Sequence, residues 1–292
     1  MMSSETLRAL ERWFHAYAGG FAPRDEGRRK TIDLKARHCL RVQTEIGDIA
    51  ENAGMSADEV RIAEAVGLLH DVGRFAQVDR YGTFVDLTSI NHARLGVRII
   101  RSEGILEHVD RAERKIILIA VENHNKLKIP SRLRGRALLH SKLIRDADKL
   151  DIFRMLTDLY ARGGIPAEES DVMFLELPEE KDPLGEGCTS SGPEGGSPCG
   201  SPRGKSAAGN VVSESVYRKV LHGEVVPYSE LETLNDFKLL QMGWVFDLNF
   251  PSSLRRTRDR RFLEKIRESM PPSKRVDEVY DRVRSYLEDR CT

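Results

Sequence analysis

The sequence predicts an all-α protein, and three observations carry that expectation. Nearly every ordered stretch repeats its apolar residues at the helical period, capping patterns precede several of those stretches, and strand-like alternation is almost absent. The one extended-looking run, Gly82-Thr83-Phe84-Val85-Asp86, is too short to build a sheet and reads as a loop between helices.

Residues 5–18 place Leu7, Leu10, Phe14 and Tyr17 on one face of a first helix. Residues 31–53 carry Ile32, Leu34, Leu40, Val42, Ile46 and Ile49 in a long second register. Ser56 with Glu59 forms a capping-box pattern, in which serine and glutamate would each bond the other's backbone, and it opens a helix ending near Asp71. Ser89 is placed to cap a helix to about residue 103, and Asp110 with Glu113 opens another to about His124. The apolar run Leu138 to Ile144 continues helically through Leu150, Phe153 and Leu156.

Residues 183–209, PLGEGCTSSGPEGGSPCGSPRGKSAAG, are dominated by Gly, Ser and Pro. Such a segment has too little apolar surface to offset its ordering entropy, so a flexible loop or linker is expected. Helical patterns resume at 212–221, 228–242 and 275–289, with the aromatic-rich stretch WVFDLNFPSSL between the last two. The expected division is a helical body at 1–182, the low-complexity linker at 183–209, and a C-terminal helical extension at 210–292 packed on the body.

Lys plus Arg equals Asp plus Glu at 46 each, which excludes a global field for nucleic acid or an anionic membrane. Residues 252–275 are locally basic but poor in aromatic residues for base stacking, so they read as a solvated helix face. No apolar run approaches the roughly 18 residues that span a bilayer. The N-terminus is amphipathic rather than secretory. Cys39, Cys188, Cys199 and Cys291 show neither CxxC spacing nor a disulfide framework, and a cytoplasmic location is expected. Cys39 reads as a core residue and the other three as members of flexible segments.

Against this background, GLLHDVGR (67–74) ends an apolar helix with His70 and Asp71 side by side. His38 lies in KARHCLRV, His92 in SINHARLG, His124 in VENHNK and Asp148 in RDADKLD, distributed over different expected helices. Facing helices of a bundle can hold such groups at fixed separation. Imidazole with carboxylate suits Zn, Fe, Mn and similar ions, and Asp71 has two oxygens with which to bridge two of them. His15, His108, His140 and His222 fall outside the pattern, and His140 reads as structural although it lies two turns before Asp148.

The ordered set His38, His70-Asp71, His92, His124, Asp148, together with its surroundings HDVGR and RDADKLD, resembles the HD superfamily of metal-dependent phosphohydrolases over roughly residues 30–160. That resemblance implies an HD-domain helical bundle in which His38, His70, Asp71 and Asp148 hold one metal. His92 and His124 hold a second, bridged by Asp71. The expected cofactor is therefore two divalent transition-metal ions, among Mn, Fe, Co, Ni and Zn. Two adjacent cations can activate water and polarise a phosphoryl oxygen, which predicts hydrolysis of a phosphoester or phosphoanhydride. Its charge calls for cations around the phosphate: Arg74, Lys126 and Lys149 foremost, with Lys128, Arg80 and Arg94 as further candidates. Asp151 could orient a ligand or water.

The ppGpp-hydrolysing branch typically has an acidic pair after its dyad, where this chain has Val72-Gly73-Arg74-Phe75. The Gly-Tyr-Pro signature of the cyclic-di-GMP branch is absent. A small phosphorylated substrate of nucleotide type remains. The rival expectations are a di-iron oxygenase on the same fold, or a nuclease or regulatory nucleotide-binding module.

Overall fold

The computed structural model describes the backbone of residues 2–21, 26–163 and 212–291, and the side chains of 2–21, 29–163 and 212–291. All regular structure among them is helical: α1 (Ser4–Gly20), α2 (Glu26–Asn52), α3 (Ala57–Leu69), α4 (Val72–Tyr81), α5 (His92–Ser102), α6 (Arg111–Asn123) and α7 (Gly135–Ala161). After the undescribed stretch come α8 (Glu214–Leu221), α9 (Leu234–Gly243), α10 (Pro251–Asp259), α11 (Phe262–Glu268) and α12 (Lys274–Cys291), with short 3-10 turns at Tyr228–Glu230 and Trp244–Asp247. The expected flexible segment 183–209, with Cys188 and Cys199, lies outside the described residues.

Helix starts follow local hydrogen-bond chemistry. Ser3 accepts from the Thr6 amide at the head of α1, and Asp110 accepts from Ala112 and Glu113 at the head of α6, satisfying donors that a helix leaves open. Four local expectations need correction. Ser56 does cap α3, but Glu59 turns its carboxylate to Arg136 and His140 instead of closing the box. The cap of α5 is Asn91, because the Ser89 hydroxyl is taken by Val85 O and Gln77. The expected helix 228–242 is broken: Thr233 and Asp236 form a reciprocal capping box that restarts the chain as α9. Cys291, expected in a flexible tail, ends α12.

A further helix, α4, follows the His-Asp dyad at once. Asp71 leaves helical geometry at φ −108 and ψ 14, so α3 and α4 meet at a corner with the dyad on it. The polar pair thus stands at an interior corner instead of at a solvated helix end. Two glycines let neighbouring helices close around that corner. A Cβ on Gly67 would come within 2.7 Å of Ile46 and 2.9 Å of Gln43 Cα, so α3 lies hard against α2. A Cβ on Gly73 would come within 2.1 Å of the His92 carbonyl, so α4 lies hard against the start of α5.

One apolar cluster runs from Met2 and Phe14 through Cys39, Ile46, Leu68 and Phe153 to Phe262 and Leu287. The C-terminal helices are fastened to α7 by polar contacts as well. Asp146, fully buried, accepts hydrogen bonds from the backbone amides of Asn249 and Phe250 and from the Asn249 side chain. Arg256 and Arg260 of the locally basic segment pair with Glu45, and Arg256 also with Asp48, both acids on α2. Those two arginines are engaged within the molecule.

Candidate metal centre

Four imidazoles and two carboxylates converge beside the α3–α4 corner. His38 comes from α2, His70 and Asp71 from the corner, His92 from the first turn of α5, His124 from the end of α6 and Asp148 from α7. The four histidines and Asp71 are buried. Asp71 divides the group in two: its Oδ2 lies 3.7 Å from His38 Nε2 and 3.5 Å from His70 Nε2, while its Oδ1 lies 3.3 Å from His92 Nε2 and 3.5 Å from His124 Nε2. Asp148 Oδ1 joins the first half, 3.2 Å from His38 Nε2 and 3.8 Å from His70 Nε2. The sets His38–His70–Asp71 and Asp71–His92–His124 are each tight enough to hold a metal ion.

The reverse sides of the rings fix their tautomers. Nδ1 of His70 meets Gly67 O at 2.7 Å and Nδ1 of His124 meets Val121 O at 2.7 Å, each a carbonyl of the preceding turn. Nδ1 of His38 meets Asp151 Oδ2 at 2.7 Å, and Nδ1 of His92 meets Asp86 Oδ1 at 2.8 Å. Carbonyl and carboxylate oxygens only accept, so all four Nδ1 atoms donate and Nε2 is the atom presented inward. In the second half, His92 Nε2 and His124 Nε2 stand 2.9 Å apart as two acceptors. Asp71 Oδ1 beside them is buried and accepts no hydrogen bond. Three acceptors converge with no hydrogen bond to them from a donor among the described residues, Arg74 Nε standing off at 3.6 Å from Oδ1, and such a set fits a metal ion.

Charge in the two halves differs. Burial, with the nearby Arg74 charge, pushes His92 down to about 3 against its carboxylate neighbours, and burial pushes His70 down to about 4; both rings are neutral donors for a metal at neutral pH. Burial and Lys35 also act to lower His38, but the carboxylates of Asp148 and Asp151 outweigh them and raise it. Asp86 is held down at about 2: burial opposes this, and the hydrogen bond and charge of His92, with Arg74 and Gln77, prevail.

Sequence reasoning missed three residues that shape the centre. Lys35, one turn before His38 on α2, places Nζ 2.7 Å from Asp71 Oδ2 with both side chains buried. Asp86, in the loop before α5, gathers His92 Nδ1, Gln77 Nε2, Arg74 Nη1 and Asn125 Nδ2. Tyr228 is the third, from the C-terminal part. Its ring is 49% exposed, yet burial and the negative field of Asp148 raise its phenol while Arg74 pulls the other way, so it stands within the field of both. Only Lys35 left a sequence signal, its one-turn spacing from His38.

The candidate phosphate cations have partners of their own. Arg74 is buried and its Nη1 donates to Gln77, Asp86 and the Phe84 carbonyl, with Nε 3.6 Å from Asp71 Oδ1. Lys126 donates to Asn123 Oδ1 at 2.7 Å, and Lys149 meets Asp247 Oδ2 at 2.7 Å. Arg80, Arg94 and Lys128 are exposed, and among the described residues none of the three pairs with the histidine and aspartate cluster. Asp151 is buried as the partner of His38 Nδ1 and Arg41. His140, outside the pattern, is buried 2.6 Å from Glu59, away from the centre.

A family model described as the HD domain matches residues 36–152. Residues 36–152 of this chain are thus similar to the HD domain. The match covers the span from just before His38 to just after Asp151, within an all-helical fold, and the HD superfamily consists mostly of metal-dependent phosphohydrolases. No curated protein and no solved structure matches the chain. No helix among the described residues is long and apolar enough to cross a membrane.

Proposed function

We propose that the HD centre binds two divalent transition-metal ions and hydrolyses a phosphoester or phosphoanhydride of nucleotide type. The observation that carries this reading is Asp71, whose two oxygens face two separate pairs of inward Nε2 atoms while Oδ1 accepts no hydrogen bond. His38, His70, Asp71 and Asp148 would hold one ion and Asp71, His92 and His124 the other. Two such ions, when bound, supply an activated water and Lewis-acid polarisation of a phosphoryl oxygen.

The chain's own residues would do the rest. Asp151 and Asp86 keep Nε2 of His38 and His92 directed inward. Arg74 sits against Asp71 on the side of the second pair, where its charge stabilises a phosphate drawn to the centre. Lys126 and Lys149 flank the centre from the end of α6 and from α7, and each would exchange its present partner for a phosphate oxygen. Tyr228, Leu87 and Leu127 are exposed; Leu87 adjoins Asp86, and the Leu127 carbonyl receives Arg145, which also holds His124 O. If these side chains border the centre, they would offer apolar contact to a base attached to the phosphate, which supports the nucleotide reading. In domain terms, residues 1–182 would form the hydrolase unit, 183–209 a linker, and 210–292 an extension that shapes the cleft.

The test is a phosphate-release screen across nucleotides with Mn, Fe, Co, Ni, Mg and Zn supplied separately, followed by hydrolysis in oxygen-18 water. The expected result is one label on a phosphate product, with at least one transition metal supporting turnover. Oxygen uptake matched to product formation, with no phosphate bond cleaved on any substrate, would instead establish the oxygenase.

A further inference from the structure

A groove of about 290 Å³ lies between the loop after α6, the first turns of α7 and the 247–249 segment of the C-terminal part. Its lining includes Lys128, Arg134 and Lys142 against one acid, Asp247, with Asn249 beside it. Behind Asp247 stand two more cations, mostly buried: Arg145 Nη2 at 2.5 Å and Lys149 Nζ at 2.7 Å both point at the single oxygen Oδ2. Three cations line the groove and two more stand behind it, against Asp247 at its edge and the buried Asp146 beneath Asn249, in a chain whose total charge is zero. Among the described residues no acid pairs with Lys128, Arg134 or Lys142, and Arg134 Nη1 donates to the carbonyls of Ser131 and Leu133. A surface shaped only by solubility mixes its signs evenly; a concave lining with an excess of one sign concentrates potential over roughly one Debye length, about 10 Å, and collects anions.

The groove is joined to the metal centre by covalent and hydrogen-bonded links. Lys149 follows Asp148 in the chain, and the guanidinium that holds Asp247 also donates to the carbonyl of His124 at 3.2 Å. Asp247 is 38% exposed while Arg145 and Lys149 behind it are 6% and 12% exposed. The carboxylate thus occupies, at the solvent edge, the position that two inward cations offer to an anion. Its contacts with them are charge-assisted single bonds, of a kind that a phosphate oxygen also accepts.

We propose that this groove is a second anion subsite, and that the substrate carries at least one phosphate beyond the one attacked at the metal centre. The inference rests on the phosphohydrolase reading for what happens at the centre, but not for the existence of the anion site. A nucleoside polyphosphate or a phosphate-bridged dinucleotide meets the requirement; a nucleoside monophosphate leaves the groove empty.

Two measurements on the full chain test it. In calorimetric titration with inorganic tripolyphosphate, the wild type should bind, Arg134→Gln/Lys142→Gln should bind about tenfold more weakly or less, and Asp247→Asn should bind more tightly. Lys142→Glu is the second variant should the double one fail to fold, and a larger loss is expected from it. In kinetics, the ratio of kcat/KM for a nucleoside triphosphate to that for the matching monophosphate should fall by about tenfold in the double variant, through KM. No binding to the wild type, or equal binding to every variant, would overturn the subsite. Cleavage of phosphate esters with an unchanged ratio would overturn it too and leave the hydrolase standing. The expected binding pattern with no phosphate ester cleaved would remove the hydrolase reading and keep the anion site.

Discussion

The two halves of the HD centre share one aspartate but are built from different materials. His38 lies within α2 and His70 just past the end of α3, two helices that touch along Gly67, and His38 is backed by Asp151, itself buried on α7 and clasped by Arg41. His92 and His124 sit at the start of one helix and the end of another, and His92 is backed by Asp86, a loop residue whose side chain is 27% exposed. His70 and His124 are held alike, each by a carbonyl of its preceding turn, so the halves differ in the other ring: His38 is oriented from a helix interior, whereas His92 depends on a loop carboxylate and on one close backbone contact at Gly73. If each half holds an ion as proposed, the two positions should differ in affinity although their inward atoms look alike, with the second the weaker.

The largest effect should come where the halves meet. Asp71→Asn keeps the volume but removes the charge that serves both, so elemental analysis should find both ions lost and turnover should fall by about a thousandfold or more, with helical content by circular dichroism unchanged. A variant that kept two ions would show that Asp71 does not bridge.

Separating the halves is the next step. Gly73→Ala forces a methyl group onto the His92 carbonyl, and Gly67→Ala forces one onto α2. Each should cost about 1–3 kcal/mol in thermal or urea unfolding. The metal readout should distinguish them: Gly73→Ala should lose mainly the second ion, Gly67→Ala mainly the first. Loss of the same ion in both would erase the distinction between the halves.

The backing carboxylates offer a milder version. Asp86→Ala should weaken the second ion by about 10- to 100-fold and leave the first in place, whereas Asp151→Ala should weaken the first by a similar factor. Metal titration against a competing chelator reads both constants. Because Asp151 is fixed by Arg41 in a helix interior, its loss should also lower the melting temperature more than the loss of Asp86.

How much of this was legible in the sequence follows the same divide. The helices were readable because capping and apolar period are local: Asp110 heads α6 where its spacing to Glu113 says it should. The convergence of the histidines was readable because each sits in a helix whose apolar face must turn inward. Asp86 was not readable, since a loop carboxylate finds its histidine only after α4 and α5 have closed at Gly73. The restart of the chain as α4 was hidden for a related reason: nothing between Leu69 and Val72 is a helix breaker, and the corner at Asp71 is imposed by packing. Tyr228, outside the HD match, lies within the field of Asp148 and Arg74 by long-range packing of the C-terminal part that no local pattern encodes.

The smallest predicted effect concerns protons in the metal-free protein. His70 and His92 have folded pKa values pushed by burial to about 4 and about 3, whereas in the unfolded chain an imidazole titrates near 6.5. Above about pH 6.5 neither state binds the proton and nothing is lost. Below it the unfolded chain takes up two protons that the folded chain refuses, so stability falls as pH drops toward 4. His38 works in the opposite sense. Its folded pKa is raised by Asp148 and Asp151, so its contribution is fully present below the unfolded value and disappears as pH rises through the folded one. Burial lowers His140 in the same sense as His70 and His92, so three losses against one gain leave a net fall, expected as roughly 5 °C in melting temperature between pH 7 and pH 5. His38→Ala removes the opposing group, so its melting temperature should fall more steeply over the same interval, whereas His92→Ala should flatten the curve. A wild-type melting temperature that rises on acidification would mean that the paired imidazoles of the second half already share a proton, and that this half, like the first, can be held closed without a metal.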